Sequence, residues 1–238
     1  MKKMIATVVL VFCIQLVFAQ KQFVVDEHAE MRSLDRSFNA IKVSGGIDIY
    51  LSQSDKESIA VSASGEKYKA NIKTIVEDSI LKIYYDGDKN WSKNRKMMAY
   101  ISFVNLTKLD ASGASDITVA GTIQTDALRM QLSGASDFKG DVTVNSLDIN
   151  LSGASDVMIS GKAAILTIES SGASDVKGYD LAAEICTVKA SGASDINVTV
   201  NRELNAHASG ASNIYYLGAG IIKEVHSSGA SSVGKKGI

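Results

Sequence analysis

The 238-residue chain carries 25 Lys and Arg against 26 Asp and Glu, a balance that points away from nucleic acid and from anionic membrane surfaces as partners. That length suits one elongated domain or two small ones. With no proline in the sequence, a Pro-rich linker is excluded, and no charge run or low-complexity spacer marks a boundary.

Lys2 and Lys3 precede an apolar run from Met4 to Phe18 that ends at Ala19-Gln20. This is the pattern of a secretory signal peptide over residues 1–19, too short and too soon succeeded by polar residues to span a bilayer. Cys13 comes after Leu10-Val11-Phe12, and the bulky Phe12 stands where lipid attachment needs a small residue. Cleavage after Ala19 leaves 238 − 19 = 219 residues, a formal charge of 23 − 26 = −3, and Cys186 as the one remaining thiol. An internal disulfide is then impossible, so packing must supply the stability. An exported protein, periplasmic or at the cell surface, is expected. Residues 20–33, which include His28, read as a flexible leader.

From residue 34 to 109 the sequence alternates apolar and polar residues in short runs: Ile41–Ser44, Ile47–Leu51, Ile59–Ser62, Ile80–Tyr84 and Met98–Phe103. These are strands with one buried face, separated by turns at Gly45-Gly46, Gly65 and Asp86-Gly87-Asp88. The region is expected to cap the carboxy-terminal half of the chain, either as irregular first coils or as a small sheet, and so to protect an exposed edge.

Residues 110–238 are a repeat. The tetrapeptide Ser-Gly-Ala-Ser recurs around Gly113, Gly134, Gly153, Gly172, Gly192, Gly210 and Gly229, at spacings of 21, 19, 19, 20, 18 and 19 by subtraction. Apolar or small residues stand two and four positions before each glycine, with a polar one between, from Asp110 and Gln131 to His207 and His226. A further apolar column runs six before it through Leu128, Leu147, Leu166, Cys186 and Leu204, and resumes after the motif at Ile117 and its equivalents. Period-2 alternation at a repeat of about nineteen residues specifies one coil of a parallel β-helix. Successive coils would stack about 4.8 Å apart. One coil buries too little apolar surface to offset its ordering entropy, so stability must accrue by stacking.

The seven glycines read as structural corner positions, where a positive φ and close approach of coils are needed. Three residues later come Asp116, Asp137, Asp156, Asp175 and Asp195, then Asn213 and Ser232. The aspartates are the sequence's candidate cation site, since stacked carboxylates repel unless bridged. Asx-turn formation is the competing role, and the motif lacks the Gly-Gly-x-Gly-x-Asp of calcium-binding solenoids.

The run Phe38-Asn39-Ala40-Ile41-Lys42-Val43-Ser44-Gly45-Gly46-Ile47-Asp48-Ile49, with repeated Leu-Ser-Gly-Ala-Ser-Asp after it, resembles the family called putative auto-transporter adhesin, head GIN domain, formerly a domain of unknown function. Gly46-Ile47-Asp48 stands where that family has Gly-Ile-Asn. The resemblance covers residues 34–238 and implies an extracytoplasmic protein of a kind common in Bacteroidetes, with an all-β, right-handed parallel β-helix fold. No series of strands with an aromatic girdle comes after the repeat, so a membrane barrel is not expected in this sequence.

Coil lengths differ by at most three residues, which leaves no insertion to wall a catalytic cleft, and neither an enzyme nor a cofactor is expected. His207 and His226 fall at equivalent outward positions on consecutive coils; they could share a transition metal but lack a third ligand, and solvated surface histidines are the preferred reading. Cys186 belongs to the inward column and should be inert. Tyr84, Tyr85, Trp91 and Tyr100, near Lys89, Lys93, Arg95 and Lys96, could form an aromatic and basic patch or simply pack in part. The function expected is a binding module for a glycan or an envelope protein. A structural component self-associating through coil ends is the alternative, and a polysaccharide-acting enzyme comes third.

Overall fold

The computed structural model describes residues 25–88 and 95–237, and the signal peptide expected over residues 1–19 lies outside the described residues. Among the described residues the chain is a β-solenoid with a single continuous core. Its regular body comprises β9 (Ile117–Leu132), β10 (Phe138–Leu151), β11 (Val157–Ser170), β12 (Val176–Ala190) and β13 (Asp195–Ala208), each pairing in parallel with the next. Each of these long strands bends at a corner and contributes to more than one face of its coil. The last coil is β14 (Asn213–Leu217), β15 (Ile221–Ser227) and β16 (Ser232–Lys235), with β14 and β15 on β13 and β16 on β14.

Side chains that alternate in sequence stack in columns through the axis. Leu128, Leu147, Leu166, Cys186 and Leu204 are all buried, as are Met130, Ile149, Ile168, Val188 and Ala206 beside them. Parallel pairing at equal register places each on its equivalent one coil away, as in Leu147 opposite Leu166 and Ile149 opposite Ile168. Differences in coil length are absorbed by register shifts on the other side of the coil, between Lys139 and Asp141 and between Met158 and Gly161. The motif side therefore keeps register through coils of unequal length, apart from a shift between Leu204 and Asn205 where β13 meets β15.

The amino-terminal region does not stack in sequence order. β2 (Ala40–Val43) and β3 (Asp48–Gln53) form a coil joined by Gly45-Gly46. The chain then leaves it through β4 (Ser58–Ala63), the short helix α1 (Glu66–Ala70) and β5 (Ile72–Glu77), and builds a further coil from β6 (Ile80–Tyr85) and β7 (Met97–Phe103). Only afterwards does β8 (Lys108–Ala111) return to the opposite side of β2 and lead into β9. The order on one face is β6-β2-β8 and on the other β7-β3-β9, so the first coil made in sequence lies inside the stack.

Antiparallel strands close this end: β4 on β7 and β5 on β6. β1 (Glu30–Arg32) then pairs with β4, so part of the segment expected to be a flexible leader is a strand. Side chains tether it, the Ser62 hydroxyl donating to Asp26 at 2.6 Å and the Arg32 guanidinium donating to the Lys69 carbonyl at 3.2 Å. The strand pairing and the Ser62–Asp26 bond link residues far apart in sequence, which is why the leader's composition gave no sign of them. The helix at Gly65 and the strand at Ile72 were likewise not expected from the alternation pattern.

Candidate functional site

The Ser-Gly-Ala-Ser corner is built from four stacked columns. Each motif glycine has positive φ, +81° at Gly153 for example, and a Cβ added there would lie 2.5 Å from the carbonyl oxygen of Gly134 one coil away. No other residue fits both the torsion and the spacing. The alanine N–H then donates to that same glycine oxygen, as in Ala154 to Gly134 at 2.7 Å.

The second serine of each motif from Ser115 and Ser136 to Ser212 points inward and is fully buried. A buried hydroxyl must find partners. The Ser155 Oγ donates to the Ser152 carbonyl at 3.2 Å and accepts the Ser136 N–H at 3.4 Å, and Ser136 and Ser194 take part in the same scheme. Even the first coil joins, Ile47 donating its N–H to Ser115. The column is a polar seam through an otherwise apolar core, closed within itself.

The aspartates form an outer seam. The Asp137 carboxylate accepts the Asp156 N–H at 3.1 Å, Asp156 accepts from Asp175 at 3.3 Å, and Asp175 accepts from Asp195 at 3.1 Å. At one end Asp48 of β3 accepts the Asp116 N–H at 3.3 Å. At the other the Asn213 amide donates to Asp195 and the Ser232 hydroxyl to Asn213, so uncharged residues finish the ladder. Burial holds the Asp48 carboxyl above its ordinary value, opposed by the Asp116 N–H bonded to it and reinforced by the Asp116 charge. Asp116 is also raised, by burial and by the neighbouring Asp137. With main-chain N–H groups on these oxygens, the column acts first as a chain of turn bonds.

Beside the motif runs a groove of about 1040 Å³, parallel to the solenoid axis. One wall is the first serine of each motif, from Ser112 to Ser228, and the other is the polar column Lys42, Asp110, Gln131, Asn150, Glu169, Lys189, His207 and His226. Parallel register places each of these on the next: Lys42 on Asp110, Asn150 on Glu169, Lys189 on His207, His207 on His226. Eight rungs at about 4.8 Å give a channel on the order of 34 Å long. Glu169 and Lys189 pair within it at 2.8 Å, and the serine hydroxyls donate to main-chain carbonyls of the preceding coil, Ser171 to Leu151 at 3.2 Å for instance. Sequence reading found the members of this column but not the groove, because its walls are formed by stacking.

His207 and His226 lie against one another, ring centroids 4.8 Å apart. Glu224, two residues before His226 on the same face of β15, reaches His226 Nε2 at 2.8 Å and His207 Nε2 at 4.0 Å. The pair expected to lack a third ligand therefore has a carboxylate beside it. The signal was present: residues two apart on a strand share a face. Among the described residues, these three are the grouping of His, Cys, Asp and Glu whose ligand atoms come within 4.8 Å of one another, and the aspartate column does not assemble one.

The aromatic residues of the first third separate. Tyr100 stacks on Tyr50 at 5.2 Å, while Arg95 lies over Tyr85 at 4.6 Å. Trp91, Lys89 and Lys93 lie outside the described residues. Cys186 is buried, and burial pushes its thiol up to about 12. No helix among the described residues is long and apolar enough to cross a membrane.

Comparison with known proteins places this architecture. The family model described as putative auto-transporter adhesin, head GIN domain, matches residues 37–220. Among solved structures, a putative adhesin from Bacteroides fragilis superposes with a TM-score of 0.80 at 23% identity, over 89% of this chain and 98% of that one. A putative adhesin from Parabacteroides merdae gives 0.69 at 19% identity, over 88% and 95%. A putative lipid binding protein from Parabacteroides distasonis gives 0.61 at 20%, over 89% and 98%. At these identities the likeness is one of fold. No curated protein matches the chain.

Proposed function

The chain belongs to the putative auto-transporter adhesin, head GIN domain family, and on that premise we propose that it is an exported, non-catalytic binding module. Its axial groove holds an extended segment of a glycan or of an envelope protein. The observation that carries this reading is the groove itself: a straight channel through eight coils, walled by serine hydroxyls on one side and by amides and mixed charges on the other. Serine, asparagine and glutamine side chains both donate and accept hydrogen bonds, the chemistry a hydroxyl-rich chain presents in return. The groove serines Ser133, Ser171 and Ser191 engage main-chain carbonyls rather than a base, which supports a surface that binds over one that reacts. The signal-peptide pattern at residues 1–19 supports export.

The test is a glycan array and a binding screen against purified envelope polysaccharides and proteins, with wild type and the groove variants Q131A/N150A and E169A/K189A. Wild type should bind a defined ligand, and each double variant should weaken it at least tenfold. Absence of any ligand, or one that both variants bind unchanged, overturns the proposal. Protease shaving of intact cells tests surface display.

Assembly is the second reading, favoured by the last coil. β15 is exposed along its whole length, with Ile221 58% and Ile222 44% accessible, and neither β15 nor β16 has a strand on its outer side among the described residues. The opposite end is covered by antiparallel strands, so two copies would meet through this coil. Light scattering over a concentration series separates the readings, since a monomer at high concentration removes assembly.

A further inference from the structure

We propose that His207, Glu224 and His226 form a binding site for a single divalent transition-metal ion of the zinc class, at the end of the groove made by the last two coils. Parallel pairing of β13 with β15 puts His207 directly opposite His226. The two-residue repeat of β15 puts Glu224 on the same face as His226. All three ligand atoms lie within 4.8 Å of one another, with Glu224 Oε1 2.8 Å from one imidazole nitrogen and 4.0 Å from the other.

Tetrahedral coordination with bonds near 2.0–2.1 Å sets ligand atoms about 3.3 Å apart, within the range these contacts span. Only small side-chain rotations are needed to converge them. Room for that exists: the side chains are 37% exposed at His207, 53% at Glu224 and 66% at His226. The main-chain positions are already fixed by the strand ladder, so most of the ordering entropy of a three-ligand site is met by folding.

Ligand type decides the metal class. Two imidazole nitrogens select zinc, copper or nickel over calcium and magnesium, which take oxygen ligands. Two histidines and one carboxylate leave a fourth position for water or for an anionic group. Both histidines line the groove, so that position is accessible to whatever occupies it. The site does not depend on the groove's ligand and can be tested without it.

The experiment uses the protein purified without a polyhistidine tag and stripped with chelator. Zinc chloride is titrated by calorimetry, and cobalt chloride by its visible absorption, which reports ligand geometry directly. Expected is saturation at one ion per chain, at least tenfold weaker in H207Q, E224Q and H226Q. D175N, which alters the aspartate ladder, should bind as wild type does, and calcium chloride should give no saturable signal. Glutamine replacements at these accessible positions keep the fold, and thermal unfolding of each metal-free variant checks this. Failure of wild type to saturate below millimolar metal, a one-to-one site that survives any of the three replacements, or its loss in D175N overturns the proposal.

Discussion

Replacing Gly153 with alanine tests whether the glycine column is set by coil spacing or by backbone torsion alone. Gly153 has φ +81°, and the new Cβ would sit 2.5 Å from the Gly134 oxygen and 3.0 Å from its nitrogen. An ordinary carbon–oxygen contact is about 3.3 Å, so the coils must part there by about 0.8 Å. The Ala154 N–H bond to Gly134, now 2.7 Å, would then stretch to the limit of hydrogen-bond range. Left-handed torsion at a residue with a Cβ costs about 1–2 kcal/mol, and the lost bond about 0.5–1.5 kcal/mol more. G153A should therefore cost about 1.5–3.5 kcal/mol. Gly121 supplies the control, since its φ is +78° but nothing lies within 4 Å of its Cβ direction. G121A should show only the torsional cost, about 1–2 kcal/mol. Gly113, whose nearest atom is at an ordinary 3.4 Å, should behave like Gly121. Urea unfolding measures all three, and at roughly 2–4 °C per kcal/mol the same order should appear in Tm. Equal costs for G153A and G121A would refute the argument from coil spacing.

Ser155→Ala should cost about 1–3 kcal/mol, because the buried Ser136 N–H and Ser152 carbonyl each lose a partner; S152A, at an exposed residue, should stay within about 0.5 kcal/mol, both read by urea unfolding. The raised carboxyls of Asp48 and Asp116 give a signed pH effect. A folded value above the unfolded one means that stability from these groups is full below about pH 4 and is lost as pH rises through the folded value. D48N/D116N, on the precedent of Asn213 in the same ladder, should therefore be more stable than wild type at pH 7, with the gap narrowing toward pH 4 in parallel urea titrations; a widening gap contradicts the assignment. Cys186 should resist thiol reagents at pH 8 in the native protein and react fully in denaturant, because burial pushes its thiol up to about 12.

Much of the body was legible because each repeat states its structure locally. The apolar columns that include Leu128, Leu147 and Leu166 come from period-2 alternation, and the chain needs only one register for all of them. The aspartate column was legible as a column, while its chemistry was not. That Asp156 donates its N–H to Asp137, and is itself bonded by Asp175, depends on how the turn directs its main chain. Glu224 lay within reach of the same reasoning, two residues from His226, and became a site only through the pairing of β15 with β13.

By itself the sequence determined the coil, its length, its inward face and its glycine corners, since these rest on the torsions and burial of neighbouring residues repeated seven times. Tertiary structure alone decided that β2 and β3 lie between β6–β7 and β8–β9, that β1 closes the capped end, and that the polar column becomes the wall of a groove. Those are pairings between segments often tens of residues apart, where alternation specifies that a strand has a partner but not which one. The choice among partners is made by edge hydrogen bonds and shared core, and these exist only once the coils are stacked.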